Sequence, residues 1–184
     1  TYAQSGWMRK GTWTINAAPV DNPPVITSTL MSFVKGATSG NMLGASVISA
    51  KNMNGDNTDG IIISAPGSST GTDIGRVHIY FRSDLTESPD LTLTGLASRG
   101  CFGYSMAVGD VNRDGFDDIV IGEPYNNENG TNSGKVYIYF GGSSLSNYPD
   151  VSLKGQASGD MFGYSVSCRD INNDNHSFGE RGNI

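Results

Sequence analysis

The chain has 184 residues, with 18 acidic against 12 basic side chains and a formal net charge of −6. No Lys/Arg cluster and no interleaving of basic with aromatic residues points to nucleic acid. No apolar run approaches the length needed to span a membrane, and no secretory leader is visible.

Residues 1–24 form a zone of their own. GWMRKGTWTINAA alternates like a strand and carries both tryptophans, and PVDNPPVITS reads as an inter-domain linker. The pattern resembles the last strand of an immunoglobulin-like or fibronectin-like domain, so 1–24 are expected to end a preceding β domain. A disordered lead-in is the alternative. The chain begins at Thr1 rather than Met and stops inside a repeat, as a piece of a longer protein would. Residues 25–184 are expected to be the repeat region.

There the chain copies itself. Gly44, Gly103 and Gly163 are spaced by 59 and 60 residues. Around them GATSGNMLGASV (from Gly36), GLASRGCFGYSM (from Gly95) and GQASGDMFGYSV (from Gly155) align without gaps. GRVHIYF from Gly75 matches GKVYIYF from Gly134, and SPDLTLTG from Ser88 matches YPDVSLKG from Tyr148. MSFVKG, from Met31, fits the slot of the strand before Gly95.

Each unit predicts a first strand after Gly44 or the Phe-Gly pair, then a polar loop and a short apolar strand (Ile61–Ile63, Ile119–Ile121). A Pro-bearing loop leads to VHIYF or VYIYF, and a Ser/Pro/Asp turn to LTLTG or VSLKG. About four short strands in so long a period predict a propeller blade rather than a solenoid coil. The third strand has bulk on both faces, Val77, Ile79 and Phe81 on one and His78 and Tyr80 on the other, as a blade covered on both sides requires. The fold class is therefore all-β: a partial β-propeller of about two complete four-stranded blades plus flanking pieces. Ile79, Tyr80, Ile138 and Tyr139 are expected to find cover only between those two blades. The isolated chain is expected to be marginal or self-associating, because blade faces without neighbours stay wet.

The most informative stretch is DVNRDGFDDIVIGEP, Asp110 to Pro124. Asp110, Asn112, Asp114 and Asp118 bring oxygen-bearing side chains to one small volume, the Phe116 carbonyl adds another donor, and Gly115 permits a sharp turn. Such a mixed oxygen set suits Ca²⁺. An EF-hand would close with a Glu and lie between helices; here Ile121 stands at the closing position and strands lie on both sides. An ordinary Asp/Gly-rich turn is the plainer reading. Against it stands the mutual repulsion of the carboxylates, Asp117 included.

These features together resemble FG-GAP repeats, the blades of the integrin alpha-subunit β-propeller and of many microbial surface proteins. Phe102-Gly103 and Phe162-Gly163 match the FG; Gly122-Glu123-Pro124 and Ser64-Ala65-Pro66 match the GAP. The resemblance, from about Met31 onward, implies calcium at Asp110, Asn112, Asp114, Phe116 and Asp118. It also implies that the metal loops, joining strands one and two, lie on the lower face and ligand contacts on the opposite one. The other copies depart from the pattern. The first offers Asn52, Asn54, Asp56 and the Thr58 carbonyl, with Asn57 at the turn glycine and Gly60 where the last carboxylate belongs. Asp59 alone stands near enough in sequence to replace it. The third offers Asp170, Asn172 and Asp174, with Asn175 at the turn and Phe178 in the closing position. Both are expected to bind weakly or not at all.

Cys101 precedes strand one of its unit, whereas Cys168 sits near the far end of that strand in the next, a separation of roughly 20 Å along the strand. A disulfide needs Cα atoms within about 7 Å, so two separate buried thiols are expected. Ser46, Ser105 and Ser165 recur with the repeat, so Gly103-Tyr-Ser105-Met-Ala107 is read as framework and not as a nucleophile elbow. His78 shares its slot with Tyr137, His176 lies in an irregular tail, and Asp117 and Asp118 point opposite ways on a strand.

No enzymatic role is expected. The reading is a calcium-stabilised propeller module of a secreted or cell-surface protein, for adhesion, ligand binding or scaffolding. The alternative is an accessory propeller on a larger extracellular hydrolase acting on phospholipids or glycans. Partners would be a protein or glycan ligand of unread identity and further blades of the parent chain. The binding face would carry Tyr125–Ser133 and Gly67–Asp73, long polar loops that differ between copies while the strands repeat.

Overall fold

The computed structural model describes residues 34, 39–67, 74–81, 88–143 and 145–168. The expected preceding domain at 1–24, the MSFVKG strand apart from Val34, the loop at 68–73 and residues 169–184 lie outside the described residues, Asp170, Asn172, Asp174 and His176 among them.

Strands β1 (Val47–Lys51), β2 (Asp59–Ala65), β3 (Arg76–Tyr80) and β4 (Leu91–Thr94) form one sheet. Strands β5 (Ser105–Gly109), β6 (Asp118–Glu123), β7 (Lys135–Tyr139) and β8 (Val151–Lys154) form another. Both are antiparallel meanders in sequence order, one per repeat, as propeller blades are built. β-Branched and aromatic runs supply the inner strands, and polar loops of nine or fewer residues close the β1–β2 and β5–β6 turns. Among the described residues no helix is long and apolar enough to cross a membrane.

The blades stack through one shared core. Ala50, Ile62, Val77, Ile79 and Leu93 share a face of the first sheet by register. They meet Phe102 and the Met106, Ile119, Ile121, Tyr137 and Tyr139 face of the second. The innermost strands β1 and β5 are neighbours. Ala107, Val120 and Val136 point the other way and gather Ile138, Val166 and Cys168 around them.

This alternation corrects one expectation. Ile79 and Tyr139 do meet between the blades, but Tyr80 and Ile138 belong to the opposite, outward faces. Residues one apart on a strand point to opposite sides, so a strand with bulk on both faces serves two interfaces. The face of the first blade that meets the second carries the repeat equivalents of the second blade's outward face: Val77 and Ile79 answer to Val136 and Ile138.

What fixes the distance between blades is backbone against backbone. A Cβ on Gly75 would lie 2.1 Å from the Phe102 carbonyl oxygen, and one on Gly134 would lie 2.3 Å from the Phe162 nitrogen. The second contact continues as a parallel bridge between Gly134 and Phe162, with Phe162 N–H donating to Ser133 O at 3.0 Å. Phe102 itself is fully buried, its ring edge-on to Tyr137 at 5.3 Å and to Tyr139 at 6.4 Å between centroids. Burying such a ring contributes about 1.5–3 kcal/mol, with roughly 0.5–1.5 more from each aromatic contact. The Phe-Gly loop also repeats in conformation. Gly40, Arg99 and Gly159 all have positive φ, as do Met42, Cys101 and Met161 two residues later.

Cys101 is buried beside the Gly67 carbonyl, Sγ at 3.9 Å, and is not joined to Cys168. Cys168 is half-buried rather than buried, because its slot lies on the outward face of the second blade. The Ser105 hydroxyl donates to Gly163 O at 2.8 Å and so ties the second repeat to the third. His78 is half-buried, its Nδ1 3.1 Å from Thr92 Oγ1.

The close approach at Gly75 gives a direct test. Gly75→Ala must push the Phe102 backbone away and is expected to destabilise at or beyond the upper end of the roughly 1–3 kcal/mol of an overpacked core. Gly40→Ala, with positive φ but nothing within 4 Å of the added carbon, should cost only about 1–2 kcal/mol. Urea unfolding of the two variants compares them; equal losses would show that the contact does not set the blade spacing.

Candidate metal centre

The β5–β6 loop is shaped by its own carboxylates. Asp110 Oδ1 accepts the Arg113 and Asp114 N–H groups at 2.7 and 3.2 Å, and its Oδ2 accepts Gly115 N–H at 3.0 Å. Asn112 Oδ1 accepts Asp114 N–H at 3.0 Å, and Asp114 Oδ1 accepts Phe116 N–H at 2.9 Å. Asn112 Nδ2 donates to Asp114 Oδ2 at 2.8 Å. Positive φ at Arg113 and Gly115 lets the chain wind around these side chains.

Asp118, the first residue of β6, closes the loop from beneath and is fully buried. Its Oδ2 accepts Val111 and Asn112 N–H at 2.7 and 3.2 Å, and its Oδ1 accepts Gly141 N–H at 2.8 Å. Burial pushes this carboxyl above its ordinary value and the charge of Asp114 adds to that, while the N–H groups of Gly141, Val111 and Asn112 oppose it. Asp117 points the other way. Its Oδ2 accepts the Lys51 N–H of the first blade at 2.6 Å.

The first repeat holds the same loop nearly bond for bond. Asn52 Oδ1 accepts Asn57 N–H at 2.7 Å, Asn54 Oδ1 accepts Asp56 N–H at 3.3 Å, and Asp56 Oδ1 accepts Thr58 N–H at 2.8 Å. Gly55 and Asn57 take the positive φ of Arg113 and Gly115. What it lacks is the closing side chain. Gly60 leaves no room for one, since a Cβ there would lie 2.8 Å from Tyr80 O. Asp59 begins β2 opposite Lys51 and is exposed, so it does not take the place of Asp118.

The donors at Asp110, Asn112, Asp114, Phe116 and Asp118 suit a hard cation in kind: carboxylates, an amide oxygen and a carbonyl along one tight loop. Asp118, a buried carboxylate with three N–H donors and, among the described residues, no cationic side chain hydrogen-bonded to it, is the group a cation would relieve most. The side chains nevertheless face the loop's own N–H groups. Among the described residues no three His, Cys, Asp or Glu side chains converge as a metal cluster.

The structure also brings out a residue that the sequence reading passed over. Glu123, the middle of Gly122-Glu123-Pro124, is fully buried where the first repeat has Ala65. Its Oε2 accepts Asn126 Nδ2 at 2.7 Å and the Tyr137 hydroxyl at 2.5 Å. A charged residue between Gly122 and Pro124, where the first repeat has alanine between Ser64 and Pro66, was the available signal.

Comparison with known proteins agrees with this architecture. Residues 102–139 match the FG-GAP repeat family. The chain is 38% identical over 118 residues to integrin alpha-5 of Xenopus laevis, covering 59% of this chain and 11% of that protein. It is 33% identical over 159 residues to integrin alpha-8 of Mus musculus, covering 77% and 15%. It is also 34% identical over 146 residues to phosphatidylinositol-glycan-specific phospholipase D of Homo sapiens, covering 72% and 17%. The chain thus spans about one-tenth to one-sixth of these relatives.

The raised Asp118 pKa fixes the sign of a pH effect. Its contribution to stability is complete below the ordinary value of 3.8 and is lost as pH climbs through the higher folded value. In chelator, the unfolding free energy should therefore carry a falling component over that window, absent in Asp118→Asn. The same pH slope in wild type and variant would contradict the assignment.

Proposed function

We propose, for a chain with an FG-GAP repeat that resembles integrin alpha subunits over most of its length, that it is a calcium-stabilised propeller module of a secreted or cell-surface protein. Its role is adhesion, ligand binding or scaffolding, and the module itself carries no catalysis. The carrying observation is the second-repeat loop, whose oxygen donors and buried Asp118 lie inside the matched repeat.

In this reading Asp110, Asn112, Asp114, the Phe116 carbonyl and Asp118 hold Ca²⁺. The ion supplies positive charge that neutralises the loop and pins β5 to β6; it takes part in no reaction. The first loop, with Asn52, Asn54, Asp56 and Thr58, keeps the fold with less charge and binds weakly. Asp170, Asn172 and Asp174 are the corresponding weak candidates of the third. The partner is a protein or glycan, met by the face that carries Tyr125–Ser133 and the loop from Gly67, and further blades of the parent chain cover the outward faces. An accessory propeller on an extracellular hydrolase is the second reading, favoured by the similarity to a phospholipase D.

Calorimetric titration of the whole chain is expected to give one dominant Ca²⁺ site of about 10⁻⁴–10⁻³ M, the range of extracellular modules. Asp114→Ala should abolish it, Asp56→Ala should leave it nearly intact, and Mg²⁺ should compete poorly. No heat with calcium, or full binding by Asp114→Ala, would refute the metal reading. Exchanging the second repeat's loop between β6 and β7 for the first repeat's should abolish capture of a ligand once one is known; unchanged capture would remove that face from consideration.

A further inference from the structure

The loops that enter strand one in the second and third repeats follow the same backbone path but are capped differently. In the third repeat Asp160 Oδ2 accepts the N–H groups of Gln156 and Ala157 at 2.9 and 2.8 Å. The equivalent of Asp160 in the second repeat is Gly100, which has no side chain to offer. The backbone is otherwise matched: Gly100 N–H donates to Ala97 O and Asp160 N–H to Ala157 O, each at 3.2 Å, and φ is positive at both Arg99 and Gly159.

The vacated space is filled from another element. Glu123 comes from the end of β6, and a Cβ on Gly100 would lie 2.2 Å from its Oε1 and 2.7 Å from its Cδ. The Ala97 N–H, counterpart of the Ala157 N–H that Asp160 accepts, acts on the Glu123 carboxylate from the same loop. That contact falls short of a full hydrogen bond, and Oε1 remains buried without a partner. In the first repeat, by contrast, alanine stands at the Glu123 position (Ala65) and a buried asparagine at the Gly100 position (Asn41).

We propose that Glu123 is the cap of the 95–101 loop, supplied across the blade in place of a side chain at Gly100, and that this makes the joint between the two blades stronger in acid than at neutral pH.

The joint is shared because Glu123 also holds Tyr137, whose ring faces Phe102 at the blade interface. The groups around the carboxyl determine the sign. From β7 come Tyr137, Tyr139 and Lys135; from the loop between β6 and β7 come Asn126 and Glu128; from the 95–101 loop comes the Cys101 thiol, with Arg99 exposed beyond it. Lys135 favours the ionised form, but its Nζ is held by Glu128 Oε2 at 2.7 Å, and Glu128 is shared with Lys154. Burial is the largest influence and pushes the Glu123 carboxyl up, against Tyr137, Asn126, Lys135 and Ala97. A neutral acid leaves a far less costly unsatisfied oxygen than a carboxylate does. The stabilisation is therefore complete below the ordinary value of 4.5 and is lost as pH rises through the folded value.

A double-mutant cycle on the whole chain, read by thermal unfolding, tests the proposal. Gly100→Asp alone should lower the midpoint by several degrees or prevent folding, because the two side chains claim one space. Glu123→Ala alone should lower it by leaving the loop uncapped. The pair Gly100→Asp with Glu123→Ala rebuilds the third-repeat cap and should melt above either single variant. Additive losses, or a pair that fails to fold, would overturn the cap. Wild type should also lose midpoint as pH rises above about 4.5, and Glu123→Gln should lose less, keeping only the Asp118 component. An unchanged slope in that variant would overturn the acid-strengthened joint.

Discussion

The close passage of one repeat's Phe-Gly backbone over a glycine of the repeat before it is the constraint on which the rest depends. Phe102 lies on Gly75 and Phe162 on Gly134, at distances that admit no side chain. That approach sets the gap between sheets, and the gap sets which residues fill it. Isoleucine and valine from the first blade meet tyrosine, isoleucine and phenylalanine from the second, so the larger side chains of one face answer the smaller ones of the other. A backbone contact tolerates change in the side chains around it, and a stack held this way can vary its loops while keeping its pitch.

In the β5–β6 loop crowded oxygens are engaged by the peptide chain itself. Its carboxylates are already engaged by peptide N–H groups, which carry only partial positive charge. Hydrogen bonding of this kind fixes the path of the chain, as the first repeat demonstrates with asparagines at two of the three positions. It does not offset the full charge of a buried carboxylate at Asp118. Shape and charge balance are therefore separable, and the two loops differ in the second while sharing the first.

Much of this was legible in the chain because the repeat reports on itself. Matching Gly75 to Gly134 and Phe102 to Phe162 locates the strands, and β2, β3, β6 and β7 fall where apolar runs predict them. The faces were harder. Alternation places Tyr80 and Tyr139 on equivalent sides of their own blades, but only the stacking direction tells which side meets a neighbour, and no local pattern encodes that. The loop donors were readable from spacing, whereas the engagement of Asp117 with Lys51 depends on two blades lying side by side. Glu123 stayed hidden for a similar reason: it belongs to the GAP segment in sequence and to the 95–101 loop in space.

The Asp117 contact has a consequence for how the molecule breathes. Lys51 ends β1, and in its own sheet it stands opposite Asp59 at the first loop's exit. Its amide proton, however, is held by a carboxylate from the β5–β6 loop of the other repeat. An amide exchanges with solvent only when its acceptor departs, so the lifetime of the Lys51 proton is governed by opening of the segment that carries Asp117, ahead of β6. In an exchange experiment this residue would report on the second blade while belonging to the first. The end of the first sheet is thereby coupled to the loop that leads into the inner strand of its neighbour.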